Sequence, residues 1–191
     1  KINRKKGEFA SPGDSKLLIY KITNKLKVKI KDSEYTLNEL VDNKINLDDY
    51  KNGYCLVFRL ALDDYHRYCF PDSGELIETH NIKGKLHTVS SISKDYKIYK
   101  ENHRVVTKLN TDNFQDIIYI EVGALSVGKI INHDITKFKS CEEKGYFKMG
   151  GSTIVILTKD KVLNIDKDIL DNATKNIEVK LKYGEKIGTN K

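Results

Sequence analysis

The sequence predicts a mainly β fold: sandwich- or barrel-like sheets of a β-rich α+β kind, with few short helices. Three observations carry this. Segments rich in β-branched and aromatic residues recur at short intervals, as they do in sandwiches and barrels. One of them alternates in hydrophobicity with a period of two, and glycines punctuate the segment ends, where turns need residues that tolerate positive φ. In chain order the expected strands are 17–22, 54–60, 86–92, 104–109, 117–122, 153–157 and 177–181. In the second, Tyr54, Leu56, Phe58 and Leu60 alternate with Cys55, Val57 and Arg59, which gives one apolar face to bury and a second face that is partly wet. Helical signal is confined to 36–42, where Thr36 is placed to cap and Glu39 follows three residues on, and to 165–173. The turn glycines are Gly53, Gly74, Gly84, Gly123, Gly128, Gly145, Gly150 and Gly151. No internal repeat or low-complexity linker interrupts the chain, so residues 1–191 are expected to form a single domain.

At 39% hydrophobic and 32% charged residues, the composition is that of a globular chain with a core, and it excludes the disordered and collagen-like classes. The longest apolar runs, such as 17–20 and 154–157, fall far short of the ~20 residues a helix needs to cross a bilayer. Three cysteines, odd and sparse, argue against a disulfide framework and for a reducing compartment. The first residue is Lys1 rather than a start methionine, so a targeting or anchoring segment upstream is left open. The net charge of +7 is uneven: residues 1–31 hold ten basic groups against two acids, Glu8 and Asp14. Such a cluster suits nucleic-acid phosphates or anionic lipid headgroups. Phe9 and Tyr20 are the only rings in that stretch, so base stacking is thin and a lipid surface is favoured over nucleic acid.

Three segments concentrate chemistry. Residues 145–153, Gly-Tyr-Phe-Lys-Met-Gly-Gly-Ser-Thr, approach a phosphate-binding P-loop, but Gly151 stands where the lysine belongs and the apolar run that follows suits a strand better than a helix. Nucleotide hydrolysis is thereby rejected. The same Gly150-Gly151-Ser152 reads either as a tight turn or as a mobile, unhindered carbonyl open to attack by the adjacent hydroxyl, the geometry of self-cleavage. Residues 63–72 pack three carboxylates, His66 and Cys69 into a short stretch. His66 is a candidate general base or proton donor, since an unperturbed imidazole titrates at about 6.5. Cys69 stands three residues away, which on a strand puts it on the opposite face, and His66, Cys69 and Asp72 lack the paired spacing of a zinc site, so no metal is expected. Residues 11–15, Ser-Pro-Gly-Asp-Ser, read as a turn, in which a functional Asp14 would orient an imidazole.

Read in order, these segments resemble the phosphatidylserine decarboxylase family of self-processing pyruvoyl enzymes. The resemblance runs from Ser11-Pro-Gly-Asp14-Ser-Lys-Leu, through Asp64-Tyr-His66-Arg, Leu86-His87-Thr-Val and Glu101-Asn-His-Arg104, to Glu121-Val-Gly-Ala-Leu-Ser-Val-Gly128, and ends in Glu143-Lys-Gly-Tyr-Phe-Lys-Met-Gly-Gly151-Ser152-Thr153. It implies a β-rich fold and cleavage between Gly151 and Ser152, giving a chain of residues 1–151 and a chain of residues 152–191 that stay associated. Ser152 would become the pyruvoyl cofactor, which forms a Schiff base with the amine of phosphatidylserine and draws electrons from the departing carboxylate, as pyridoxal phosphate does elsewhere. The resemblance further implies Asp14, His66 and Ser152 as catalytic residues.

One departure stands out. The family's histidine motif repeats histidine after two residues, whereas here the second position is Cys69. Either His66 covers both processing and decarboxylation, or His87 or Cys69 substitutes, or the chain is a processing-deficient homologue that binds anionic phospholipid without catalysis. The expected partners are phosphatidylserine and an anionic membrane surface, with no nucleic acid and homo-oligomerisation left open. The expected location is peripheral, on the cytoplasmic face of a membrane. The family's N-terminal helical, membrane-associating part has no counterpart in this sequence, so the chain resembles a catalytic core.

Overall fold

The computed structural model describes residues 5–30, 33–83, 103–123, 129–148 and 152–191. These form strands β1 (Glu8–Ala10), β2 (Ser15–Lys21), β3 (Lys27–Ile30), β4 (Ser33–Thr36), β5 (Tyr54–Leu60), β6 (Arg67–Cys69), β7 (Gly74–Ile82) and β8 (Arg104–Thr111). The remaining strands are β9 (Gln115–Val122), β10 (Lys129–Asn132), β11 (Lys137–Phe138), β12 (Glu143–Lys148), β13 (Ser152–Leu157), β14 (Leu163–Ile165), β15 (Val179–Leu181) and β16 (Lys186–Asn190). Two short helices, α1 (Leu37–Leu40) and α2 (Lys167–Ala173), and a 3-10 turn at Asp48–Tyr50 complete the set.

An eight-stranded antiparallel sheet, ordered β11-β7-β8-β9-β13-β5-β2-β15, is the backbone of the molecule. Its central strands are buried on both faces. Leu56, Phe58 and Leu60 of β5 point into one apolar layer, closed by two three-stranded sheets (β1-β16-β14 and β10-β12-β6) and by Ile169 and Ala173 of α2. Cys55 and Val57 point into the other, closed by the β3–β4 hairpin, α1 and Tyr50. The second face of β5, expected to be partly wet, is therefore covered, and only Arg59 at its end reaches solvent.

The mainly β, layered architecture agrees with the sequence expectation, as do the strands at β2, β5, β8, β9, β13 and β15. The expected strand 86–92 lies outside the described residues. Both helices form where expected. At α1, Glu39 N donates to Thr36 Oγ1 at 3.3 Å while Thr36 N donates to Glu39 Oε2 at 3.0 Å, a complete capping box.

Two glycines depart from the turn reading. Gly145 sits inside β12, where a Cβ would meet the Ile131 carbonyl, Asn132 Oδ1 and the Tyr68 hydroxyl, so absence of a side chain, not a turn, is what the position requires. Gly53 precedes β5 for the same reason, with the Thr158 carbonyl against it. Of the turn glycines among the described residues, Gly74 alone has positive φ.

The basic residues of the N-terminal stretch do not form one patch. Lys16 lies at the start of β2, paired with Arg59 and Lys180 of its neighbours, whereas Lys21 lies at the far end, its Nζ on the Asn52 carbonyl and over the Tyr54 ring, with Lys27 beyond it on β3.

Candidate active site

Register puts the sequence-predicted residues at one end of the large sheet. Lys180, Lys16, Arg59, Thr153, Val122 and Arg104 form a row across five strand pairings. One step further along lie Leu181 opposite Ser15 and Leu60 opposite Ser152. Ser152 thus opens the central strand β13, and its side chain shares the face of Leu60 and Ile154, inside the apolar layer. It is 3% exposed, and its Oγ has no hydrogen-bond partner among the described residues. A buried hydroxyl is ordinarily bonded, so this orphan atom is a strong local signal.

The turn 11–14 is built beside it. Ser11 Oγ and Ser15 Oγ both donate to the Gly13 carbonyl, at 3.0 and 3.1 Å. Cys69 N donates to the Pro12 carbonyl at 2.8 Å, which locks the turn to β6. A Cβ on Gly13 would sit 3.3 Å from the Arg67 carbonyl and 3.9 Å from Leu60. His66 immediately precedes β6, and its carbonyl accepts from Phe147 N at 3.0 Å, five residues before Ser152. The three motifs therefore meet around the end of β12 and the start of β13. Gly151, the other half of the expected cleavage site, lies outside the described residues, as do Gly150, Gly84, Gly128 and His87.

The hydrogen bonds differ from the expected chain of aspartate, histidine and serine. Asp14 Oδ1 accepts from Tyr183 N and Oδ2 from Lys182 Nζ, both at 2.8 Å, so the carboxylate faces the β15–β16 turn. Partial burial alone would raise its pKa, but the Lys182 ammonium and Tyr183 amide outweigh this and hold the carboxyl below the ordinary range. His66 Nδ1 instead lies 2.7 Å from the Asp64 carbonyl. A carbonyl only accepts, so Nδ1 carries a proton, and in the neutral ring the lone pair is on Nε2. The tautomer a general base needs is set by a backbone carbonyl two residues away rather than by Asp14.

Cys69 is fully buried on β6 and its Sγ donates to the Ser11 carbonyl at 3.5 Å. Desolvation pushes its thiol pKa well up, and neighbouring Cys141 adds to this. Such burial disfavours the thiolate form in which a cysteine accepts a proton. None of the three cysteines is in a disulfide. Among the described residues no group of three or more His, Cys, Asp or Glu is placed to hold a metal ion, and no helix is long and apolar enough to cross a membrane.

One buried pair escaped the sequence reading. Glu121, on β9 directly opposite Ile154, shares the face of Ser152 and lies on its diagonal. It is wholly buried and bonded to Lys144 Nζ of β12, itself 3% exposed, while Glu121 Oε2 has no hydrogen-bond partner among the described residues. Tyr68 Oη donates to Asn132 Oδ1 at 3.0 Å nearby. Burial raises the Glu121 pKa and Lys144 pulls it back. The signal available in the sequence was a lone acid in the apolar run 117–122.

A family model described as phosphatidylserine decarboxylase matches residues 1–189. Phosphatidylserine decarboxylase proenzyme 2 of Clostridium acetobutylicum is 54% identical over 188 residues, covering 98% of this chain and 65% of that protein. A phosphatidylserine decarboxylase proenzyme of Clostridium botulinum (strain Eklund 17B / Type B) is 43% identical over 187 residues, covering 95% and 63%. One from Clostridium tetani is 39% identical over 191 residues, covering 96% and 63%. The chain thus spans just under two thirds of the length of these curated relatives.

Proposed function

The chain belongs to the phosphatidylserine decarboxylase family, and from that premise we propose that it converts phosphatidylserine to phosphatidylethanolamine and carbon dioxide, using a pyruvoyl group made from its own Ser152. The observation that carries this reading is the Ser152 hydroxyl, buried and unpartnered at the head of a central strand. That orphan atom fits a residue whose polar group is consumed in forming the cofactor.

In self-processing, Ser152 Oγ attacks the Gly151 carbonyl carbon and the amide C–N bond breaks, leaving an ester and a free amine on Ser152. Loss of the Ser152 Cα proton expels the carboxylate of the 1–151 chain. One water then enters at that carbon and one ammonia leaves, which yields the ketone. His66, with Nε2 carrying the lone pair, is the base we assign to Ser152 Oγ, and the same nitrogen returns a proton to the headgroup carbon at the end of turnover. Cys69 and His87 are not needed for these steps. The pyruvoyl group supplies the electron sink for decarboxylation.

Asp14, through Lys182 and Tyr183, is assigned to holding the 152–191 segment against the 1–151 segment. Interlacing supports the continued association of the two cleaved chains: β13 sits between β5 and β9, β15 pairs β2, and β16 pairs β1. No observation favours a processing-deficient lipid binder.

Intact-mass spectrometry of the purified protein tests the reading. The expected result is two chains divided between Gly151 and Ser152, the C-terminal one blocked by a ketone, and a single uncut chain for Ser152→Ala. An uncut wild-type chain, or a free serine at the new terminus, would overturn it.

A further inference from the structure

The end of the molecule that holds Ser152 also carries a built apolar tip. Leu62 and Tyr65 are 78% and 54% exposed, in the turn between β5 and β6 that ends in His66. This turn is not a frayed loop: Asp64 N donates to the Ala61 carbonyl at 3.2 Å and Ala61 N to Asp64 Oδ2 at 2.8 Å, so Leu62 is held outward. Tyr65 packs edge-on to Tyr183, ring centroids 6.3 Å apart, beside the Asp14–Lys182 pair.

Around the tip stand lysines from four separate stretches of chain. Extending the β6–β12 pairing by two residues on each strand puts Lys148 opposite Tyr65, and Lys148 pairs Lys129. Lys16 and Lys180 lie in the strand row one step from Ser152. Among the described residues none of the four has a carboxylate within ion-pair distance, whereas Arg59, Arg67 and Lys182 are bound to Glu178, Glu143 and Asp14. Against them stand exposed Asp63 and half-buried Asp64, the latter turned back onto Ala61 N.

We propose that this end of the molecule lies on an anionic phospholipid bilayer, with Leu62 and Tyr65 entering the interface and Lys16, Lys180, Lys129 and Lys148 facing the headgroups. The inference rests on the reading of Ser152 as the reaction centre, because a lipid headgroup can reach a buried serine only if the bilayer meets this end. An aliphatic tip with an amphipathic ring beside it suits the boundary between acyl chains and headgroups. Nucleic acid shares the charge but not the leucine, and a single exposed ring is a poor stacking platform. Of the N-terminal lysines that drew attention in the sequence, Lys16 belongs to this surface, whereas Lys25 and Lys27 lie at the opposite end.

The test is flotation of the full chain with phosphatidylcholine vesicles containing one third phosphatidylglycerol, an anionic lipid without the serine amine, so binding reports the surface and not turnover. Each lysine near an anionic surface is worth about five-fold in partition. Binding should therefore fall by roughly twenty-fold or more in Lys129→Glu/Lys148→Glu, fall clearly in Leu62→Asp, and stay within two-fold of wild type in Lys25→Glu/Lys27→Glu, with all variants melting as wild type does. A dihexanoyl phosphatidylserine substrate below its micellar concentration should still be turned over by Leu62→Asp, while turnover on vesicles drops. Equal binding by all variants, or equal loss in the Lys25/Lys27 control, would overturn the proposal. So would vesicle-independent dimerisation abolished by Leu62→Asp, or single-stranded RNA binding with the same variant pattern and no vesicle binding. Mass spectrometry of the same preparations reports Ser152 processing separately, so a failed docking surface and a failed reaction centre give different results.

Discussion

Lys144→Met is the most informative single perturbation of the interior. It leaves the Glu121 carboxylate wholly buried, with Oε2 already unpartnered and Oε1 stripped of its ammonium. Removing one member of a buried ion pair typically costs ~3–5 kcal/mol, because the remaining charge is desolvated without compensation. Against a domain stability of roughly 5–15 kcal/mol, that is a large share. The cost should depend on pH, because burial already raises the Glu121 pKa and loss of Lys144 removes the group that pulls it down. With its folded pKa above the unfolded value of about 4.3, the carboxyl binds more protons in the folded state, so stability falls as pH rises through that window. The penalty should therefore be larger at pH 8 than at pH 5.5, by up to about 1.4 kcal/mol per pH unit inside the window. Urea unfolding in a Ser152→Ala background keeps one covalent chain, so the transition stays unimolecular. Glu121→Leu/Lys144→Met, which replaces the pair by apolar groups of similar volume, should recover most of the loss. A pH-independent loss below about 1 kcal/mol for Lys144→Met would refute the account of a desolvated pair.

Three further expectations follow from the site. Asp14→Asn should lower the urea midpoint at pH 7, and the gap to wild type should close as pH falls through the depressed folded pKa of Asp14, since a carboxyl held low stabilises only while ionised; a gap unchanged at pH 3 would contradict the Lys182 contact. Cys69→Ser should leave the cleavage half-time within about two-fold and its pH profile unchanged, whereas His66→Ala should stop cleavage; a wild-type rate still rising from pH 8 to 9.5 and lost in Cys69→Ser would make the thiolate the base. Gly145→Ala should cost about 1–3 kcal/mol in urea unfolding, because its Cβ meets the Ile131 carbonyl and the Tyr68–Asn132 hydrogen bond.

The strands that the sequence makes legible are those whose side chains are almost all apolar. β5 and β13 lie in the middle of the sheet, buried on both faces, so their composition announces them. β7 escapes because it is half-exposed along its length: Gly-Glu-Leu-Ile-Glu-Thr-His-Asn-Ile carries too much polar material for a propensity reading, although it pairs with β8 over its whole length. The short strands β1, β6, β14 and β16 owe their extended form to pairing partners far away in the chain, which no local window contains. Gly145 misled for a related reason, since what excludes a side chain there is the carbonyl of Ile131 on a neighbouring strand.

Within the site, the sequence identifies which residue types are gathered but not which atom bonds to which. Asp14 and His66 stand where an aspartate–histidine pair is expected, yet each is satisfied by something a motif does not encode: a lysine and a backbone amide from the last strands for one, a backbone carbonyl for the other. The consequence is a division of labour. With the Asp64 carbonyl on His66 Nδ1, the Asp14 carboxylate bonds the 152–191 segment, and its charge faces Lys182 instead of an imidazolium, which suits the clamp proposed for it. Self-cleavage needs such a clamp more than most reactions do. With the proposed cut before Ser152, no covalent bond would join β13 to residues 1–151, and Ser152 would keep its place in the centre of the sheet only through strand pairing and contacts of this kind.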